Sequence, residues 1–328
     1  MVVSAFNMFR PQVAIDGHEK RMPRAKTEDV CTDVELQTGS GGMNHPDYMR
    51  KLLMKMACIA LEKAKELGIR GHFYSKLASA AGGVAGSSYA GCRNTLSFLV
   101  ETPGQLNAGG NYLERRVISQ YAVASAIIDY TVAHAQEILT AVRESRAYMR
   151  KTGPVYDEAD VIVLEHEPQE TGALAMPLLH VPTGKVIDPD HTEAYTEHTG
   201  AILTRPRATA YVIPAGLPQE EEILRLAKCH DLDLYHLPAG SQFSLQQYLQ
   251  KDDGISLAPE QVITFETGAH VFPNTIDSTI LGMIMEPDFN PTKPELKRTI
   301  LRMGLICPDQ GGQLPLYRYC HNLENGKI

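Results

Sequence analysis

The sequence predicts an α/β protein that begins with a mainly parallel or mixed sheet flanked by helices and continues into a smaller α+β domain. Apolar, strand-like runs at residues 13–15 and 95–100 alternate with amphipathic helical patterns at 46–67 and 112–147. Alternation of strand and helix is typical of a largely parallel sheet covered by helices. Beyond Lys151-Thr152-Gly153-Pro154 the pattern changes to short strands with many Pro and Gly residues.

The 328 residues are enough for one large or two medium domains. The change of pattern after Lys151 therefore predicts a first domain at residues 1–150 and a second at 151–328. With 43% apolar and 21% charged residues, the composition is that of an ordinary globular chain.

The elements of the first domain have separate signals. Val13-Ala14-Ile15 follows Pro11 and precedes the charged residues 16–19, so we predict a buried strand that ends in a polar loop. Residues 20–45 are polar and rich in Gly, which predicts a loop. Residues 78–94 are small and Gly-rich, and they predict a loop that leads into the strand at 95–100.

The two helices are predicted from spacing. Pro46 suits a first helical turn and Gly68 suits a helix end. Between them, apolar residues recur at helical intervals: Met49, Leu52, Leu53, Met56, Ala60, Leu61, Ala64 and Leu67. The helix at 112–147 has the same kind of stripe: Val117, Ile118, Tyr121, Ala124, Ile128, Val132 and Leu139.

The second domain has weaker and shorter signals. We predict strands at 161–164, 209–213, 233–237, 262–266 and 314–319. We predict short helices at 218–229, 277–285 and 294–303.

Charge and hydropathy exclude two classes of partner. The net charge is −8 and no segment is strongly basic, which argues against nucleic acid. No apolar run reaches the roughly 18 residues of a membrane-spanning helix, so we expect no membrane partner. The N-terminal residues do not have the pattern of a signal peptide. The six cysteines are scattered with no CxxC pair, which argues against a cysteine zinc site and leaves the compartment open.

His18 and Glu101 are the candidate functional residues on position alone. Each comes after an apolar strand, and the carboxyl ends of strands are where reactive groups collect in open α/β sheets. A carboxylate in such a place is suited to act as a general base. The alternatives are structural: Glu101 would cap a loop or pair with Arg93 or Arg115, and His18 would be satisfied by Asp16 or by backbone.

Two segments resemble the M14 zinc carboxypeptidases. Residues 10–19 read RPQVAIDGHE, and residues 91–120 read GCRNTLSFLVETPGQLNAGGNYLERRVISQ. Two later phrases, RPRATAYVIP at 205–214 and the stretch at 268–287, resemble the C-terminal extension of large bacterial members. The resemblance covers nearly the whole chain, and the order of the phrases is more specific than any one of them.

The resemblance implies a role for each candidate residue. His18 would be a zinc ligand, Glu101 the general base that activates a zinc-bound water, and Glu19 a residue that orients the loop. Arg93 and Tyr89 would contact substrate, with Tyr74 as an alternative to Tyr89. The implied reaction is hydrolysis of a peptide or small amide substrate near a free carboxylate.

The family's His-x-x-Glu motif, which supplies its first two zinc ligands, is not found ahead of His18. The strings His134–Glu137 and His321–Glu324 are in the wrong order, and we interpret both as surface residues. Zinc, the cofactor expected for the intact family, is therefore not expected to be held by this chain alone. We expect residues 1–150 to be the C-terminal portion of an M14-like domain and residues 151–328 an accessory domain.

Other functions stay open at this point. The chain is interpreted as an incomplete, inactive carboxypeptidase, as a non-catalytic binding protein with the same fold, or as an amidohydrolase of the aspartoacylase/desuccinylase branch. An incomplete sheet would leave an unpaired edge, so self-association is a further expectation.

Overall fold

The computed structural model describes most of the chain, and the helices and strands fall into two compact units. The described residues are 2–20, 30–39, 46–73, 86–103, 113–175, 178–180, 185–188, 192–252, 254–275, 279–289 and 299–328. The N-terminal unit comprises Pro11–Arg143 and His166–Gly200. The C-terminal unit comprises Met1–Arg10, Glu144–Glu165 and Ala201–Ile328.

These units differ from a simple division at residue 150. The first ten residues join the C-terminal unit because Asn7 donates a hydrogen bond to the Cys229 carbonyl (2.8 Å) and Arg10 pairs with Asp231 (2.6 Å). Residues 166–200 join the N-terminal unit. Long-range contacts of this kind leave no signal in the local sequence pattern.

A mixed four-stranded sheet forms the centre of the N-terminal unit. Its strands lie in the order β1-β5-β3-β4. Strands β1 and β5 are parallel, β5 and β3 are antiparallel, and β3 and β4 are parallel. The strands are β1 (Val13–Lys20), β3 (Val34–Thr38), β4 (Gly71–Phe73) and β5 (Leu96–Pro103), while the short β2 (Val30–Cys31) lies outside this sheet.

Helices and one apolar sheet face make the core of this unit. The helices are α2 (Asp47–Glu66), α3 (Gly86–Cys92), α4 (Leu113–Ala133) and the first half of α5 (Ala135–Thr152). The residues of α5 from Glu144 onward and all of α1 (Val2–Phe9) belong to the other unit. Alternate residues Leu96, Phe98 and Val100 of β5 are buried with Val34 and Leu36 of β3 against α2 and α4. The opposite face of the sheet carries the other alternate residues, among them Ser97 and Glu101 of β5 and Glu35 of β3.

The strongest sequence signals are confirmed, with corrections. Helix α2, its end at Gly68 (φ +73°) and strand β5 match the predicted elements. The predicted polar loop at 16–19 is wrong, because β1 continues to Lys20 through paired residues. The predicted single helix at 112–147 is two helices, α4 and α5, separated by His134.

Two predicted loops contain regular structure. The segment 20–45 contains the fully buried strand β3, and the Gly-rich segment 78–94 ends in helix α3. Residues 74–85, which include Tyr74, lie outside the described part of the chain.

The C-terminal unit is built on a mainly antiparallel sheet. Its described strands lie in the order β11-β15-β10-β16-β12-β13, with β14 paired to β12. The strands are β10 (Ala210–Pro214), β11 (Tyr235–Leu237), β12 (Ser241–Lys251), β13 (Gly254–Leu257), β14 (Gln261–Phe265), β15 (Ala269–Pro273) and β16 (Gln313–Tyr319). Helices α6 (Glu220–Cys229) and α7 (Ile280–Met285) complete it. Outside this sheet, β6 (Val161–Ala175) pairs with β9 (Thr192–Pro206). In the N-terminal unit, β7 (Leu178–His180) and β8 (Lys185–Asp188) form a three-stranded sheet with β2, in the order β2-β7-β8.

All five strands predicted for this half overlap observed strands, and the first two predicted helices overlap α6 and α7. The third, at 294–303, falls partly on residues 290–298, which lie outside the described residues, and 299–303 form turns. The α/β class with a separate sheet-rich part is therefore confirmed. Within the described ranges, no helix is both long and apolar enough to cross a membrane.

Glu220 gives a pH-dependent stability prediction. Its carboxylate lies 2.6 Å from His270 Nε2 and accepts a hydrogen bond from the Gly216 backbone N–H. The His270 hydrogen bond, followed by that of Gly216, lowers the pKa of Glu220 from its ordinary value of 4.5. A lowered folded-state pKa stabilises the fold above the unfolded-state value, and this stabilisation is lost as the pH falls through the folded-state value.

We expect Glu220→Gln to lower the free energy of unfolding near neutral pH by up to about 1 kcal/mol, because the group is partly exposed. The difference should vanish well below the ordinary pKa of 4.5. Urea unfolding at both pH values measures it, with the exposed Glu221→Gln as the control. An equal loss at both pH values would contradict the assignment.

Candidate active site on the sheet of the N-terminal unit

A row of ionisable side chains crosses the sheet of the N-terminal unit. His18 on β1 is the register partner of Glu101 on β5, and Glu101 is the partner of Glu35 on β3. Glu35 is in turn the partner of His72 on β4. Register partners point to the same face of a sheet. We call His18, Glu101, Glu35 and His72 the polar row.

The alternation of side chains puts the polar row on the face away from the helical core. Val100 and Leu36, which are neighbours of Glu101 and Glu35 in the chain, are buried in the apolar cluster with α2 and α4. Because successive side chains of a strand point to opposite faces, Glu101 and Glu35 point to the other side.

His18 is the most exposed member of the row. Its side chain is 55% exposed, and Nε2 lies 3.0 Å from Asp16 Oδ1. The structural alternative for this histidine, a contact with Asp16, is thus present in the structure. The carboxylate of Glu19, the residue expected to orient this loop, pairs with the buried Arg116. The carboxylate that contacts His18 is therefore that of Asp16.

Glu101 is buried near the end of β5. It is 8% exposed, and its register partner Glu35 is completely buried. Arg115, one of the two partners suggested for Glu101, forms two hydrogen bonds with Asp33, of 2.5 and 2.6 Å. The structure therefore places a buried carboxylate beside the exposed imidazole of His18, with a second carboxylate on its other side.

Arg93 and Tyr89, the candidate substrate-binding residues, lie together at the end of α3. Both are buried, the Arg93 guanidinium lies 5.9 Å from the centre of the Tyr89 ring, and Arg93 donates a 3.4 Å hydrogen bond to the Tyr89 hydroxyl. Helix α3 is anchored to β5 because Ser97 Oγ donates a 2.6 Å hydrogen bond to the Ser87 carbonyl.

A cleft of about 310 Å³ opens where β1 and β5 end beside the first turns of α4. Gln120 closes one side, donating hydrogen bonds to the carbonyls of His18 (3.0 Å) and Val100 (2.9 Å). The lining residues are Gly17, His18, Glu19, Thr102, Leu113, Arg116, Val117 and Gln120. Thr102 lines this cleft, so its neighbour Glu101 points to the opposite face.

The described residues do not fit a zinc ion. The two histidines of the polar row are on β1 and β4, with two strands between them, and the His18 Nε2 atom is engaged by Asp16. In the described ranges, no group of three or more His, Cys, Asp or Glu side chains is arranged to hold a metal. A catalytic zinc site has three protein ligands, and the described part of the chain does not bring such a set together.

The two His-x-x-Glu strings are found at the surface. His134 Nδ1 lies 3.3 Å from Glu137 Oε2, with both side chains nearly half exposed. His321 pairs with Glu260 at 2.5 Å, and Glu324 forms a backbone bridge with Lys327. Neither string forms a metal site in the described structure.

Sequence reasoning missed Glu35 and His72. Their strands lie in segments with loop-like composition, and β4 has only three residues. A signal was present for Glu35, since Val34-Glu35-Leu36-Gln37-Thr38 alternates apolar and polar residues with the period of a strand. No comparable signal exists for His72.

Comparisons with known proteins find fungal carboxypeptidases. The chain is 25% identical over 228 residues to "Probable carboxypeptidase 2" of Trichophyton verrucosum and to "Probable carboxypeptidase 2" of Arthroderma benhamiae. It has the same identity over the same length to "Carboxypeptidase 2" of Trichophyton tonsurans.

Each match covers 65% of this chain and 41% or 42% of the relative, so the chain spans less than half the length of these relatives. No family model matches the chain. No solved structure matches it either. The similarities support a distant relation of this chain to carboxypeptidases.

Proposed function

We propose that this chain carries the general-base part of a carboxypeptidase-type hydrolase that acts on peptide or related amide bonds near a free carboxylate. The observation that carries the proposal is Glu101, a buried carboxylate in register with the exposed His18 at the end of β5. The relation to fungal carboxypeptidases supports the reaction class.

Glu101 would supply the proton transfers of this reaction. Its carboxylate would take a proton from the attacking water and then give it to the nitrogen of the leaving amine. The base is held in place because β5 is a central strand, paired on both sides along the residues that precede and include Glu101. Arg93, which lies beside the Tyr89 ring, is the proposed partner of the substrate carboxylate. A guanidinium group can form a bidentate pair of hydrogen bonds with a carboxylate.

The resemblance implies zinc for the intact family, with His18 as one ligand, but the described residues do not bring a zinc ligand set together, so no step of the proposal runs through zinc. His18, whose Nε2 lies 3.0 Å from Asp16, would flank Glu101 in the polar row. Because the described residues supply a single member of such a ligand set, we expect weak zinc binding and a low rate from this chain alone.

The proposal is tested by release of C-terminal residues from N-acylated dipeptides, followed by mass spectrometry with and without added zinc. We expect Glu101→Gln to lower the rate by about 10²–10⁴-fold, the usual contribution of a positioned base. Glu114→Gln, a change at an exposed position on α4, is the matched control and should leave the rate unchanged. Equal rates in the wild type and Glu101→Gln would refute the role of Glu101.

The second candidate function is a non-catalytic binding protein, favoured by the incomplete ligand set. It predicts no turnover by the wild type, with equal peptide binding by the wild type and Glu101→Gln in calorimetry. N-acyl amino acids in the same substrate panel distinguish the amidohydrolase alternative, because that branch would hydrolyse them in preference to dipeptides.

A further inference from the structure

Glu35 is the register partner of Glu101, and His72 lies on the far side of Glu35 on β4. Neither residue has a part in the proton transfers proposed for Glu101. Glu35 is completely buried and His72 is 6% exposed. Burying an ionisable side chain costs several kcal/mol unless it is paired and hydrogen-bonded, so apolar residues in these positions would be the less costly choice. The burial of this pair in the same row as Glu101 therefore requires an explanation.

The hydrogen bonds of His72 define where its protons lie. Its Nδ1 is 2.6 Å from the Phe73 carbonyl oxygen, which only accepts, so Nδ1 carries a proton. Its Nε2 is 3.0 Å from Thr32 Oγ1 and 3.7 Å from Glu35 Oε1. A second proton on Nε2 would make an imidazolium that donates to the Thr32 hydroxyl and faces the Glu35 carboxylate.

The groups around this pair favour the charged form of His72. On β5, Glu101 is the register partner of Glu35, and two carboxylates directly opposite each other repel. The negative charge of Asp33, which precedes β3, is balanced by Arg115, which donates two hydrogen bonds to its carboxylate. Helix α2 approaches β4 with the apolar side chain of Leu61. His72 faces Glu35 directly, with Nε2 3.7 Å from Glu35 Oε1, so an imidazolium at this place would balance the charge of that carboxylate.

We propose that His72 and Glu35 form a buried imidazolium–carboxylate pair that positions Glu101 for the proposed reaction. The pair carries no net charge, so the imidazolium balances the negative charge of Glu35, the register partner of Glu101 on β3. Glu35 and His72 act on the reaction only by positioning Glu101. This positioning role rests on the proposed function.

Nuclear magnetic resonance of the full chain tests the pair without any activity measurement. The ¹³C and ¹⁵N shifts of the His72 ring, followed against pH, should show an imidazolium that persists to higher pH in the wild type than in Glu35→Gln. We expect the midpoint to fall by about one pH unit or more in the variant, because a neighbouring carboxylate stabilises the charged imidazole. His134, an exposed histidine beside Glu137, is the internal control and should titrate equally in both proteins.

An unchanged His72 midpoint in Glu35→Gln would overturn the proposal. If that variant does not fold, the wild type alone decides, since a neutral His72 ring near pH 7 contradicts the pair and a doubly protonated ring supports it. In the dipeptide assay, Glu35→Gln should lower kcat about tenfold with KM nearly unchanged. Absence of turnover in the wild type would refute the proposed function and leave the His72 result standing, so the two failures are distinguishable.

Discussion

Replacement of Glu286 by alanine is expected to lower the free energy of unfolding of the C-terminal unit by about 3–5 kcal/mol, the usual cost of removing one partner of a buried ion pair. Glu286 is completely buried directly after α7. Its carboxylate accepts a 2.7 Å hydrogen bond from the Tyr211 hydroxyl and pairs with Arg205. Arg318 Nε lies 3.8 Å from the same carboxylate.

The size of the effect follows from the cations that would be left behind. Arg205 retains Asp288, with which it forms hydrogen bonds of 2.7 and 2.6 Å. Arg318 is 2% exposed, and it would lose its nearest carboxylate without access to water. Burial also raises the pKa of Tyr211 well above 10, so this phenol stays neutral and cannot replace the lost negative charge.

Urea unfolding measures this loss of stability, and two further variants serve as comparisons. Glu286→Gln keeps a hydrogen-bond acceptor for Tyr211 but removes the charge, so its loss should be smaller than that of the alanine variant. Glu222→Ala removes an exposed carboxylate from its pair with Arg225 and should change the free energy by less than about 1 kcal/mol. A loss below about 1 kcal/mol for Glu286→Ala would show that Arg318 finds another partner.

The sequence predicted the elements whose signal lies within one segment. Helix α2 repeats apolar residues over 20 positions between a proline and a glycine. Strand β5 is a short, mostly apolar run, which is typical of a buried strand. Strand β3 was missed because the polar composition around it outweighed five alternating residues. Its strand conformation depends on β5 and β4, which are distant in the chain.

The contacts of the candidate site also divide into those that the local sequence predicts and those that depend on distant strands. The adjacency of His18 and Glu101 was predictable, because both follow apolar strands and parallel neighbours end at one edge of a sheet. The placement of Glu35 opposite Glu101 was not predictable, because it depends on the antiparallel register between β3 and β5. The pairing of Arg115 with Asp33 joins residues 82 positions apart and has no local signal either.

Glycine composition was a poor guide in one place. Gly39 stands in a segment predicted as loop, yet it directly follows β3 where α3 and β5 come close. A Cβ at this position would clash with Ser97 Oγ and lie 2.5 Å from the Ser87 carbonyl oxygen. This glycine therefore permits close packing of backbone rather than a flexible connection.

Phe98→Ala is the second large effect we expect, a loss of about 3–5 kcal/mol from the N-terminal unit. Phe98 is completely buried in the centre of β5, in register with Ile15 of β1 and Thr38 of β3. It packs in the apolar cluster that joins the sheet to α2 and α4, so its removal leaves a cavity that neighbouring strands and helices cannot easily fill.

Urea unfolding measures this loss, with Leu113→Ala as the control. Leu113 is half exposed at the first turn of α4, and its truncation should cost less than about 1 kcal/mol. Phe98 points away from the polar row, so the folded variant should retain the wild-type titration of His72. A shifted His72 titration in Phe98→Ala would mean that the register of β3, β4 and β5 depends on this one side chain. The polar row would then result from core packing and not from the pairing of the strands.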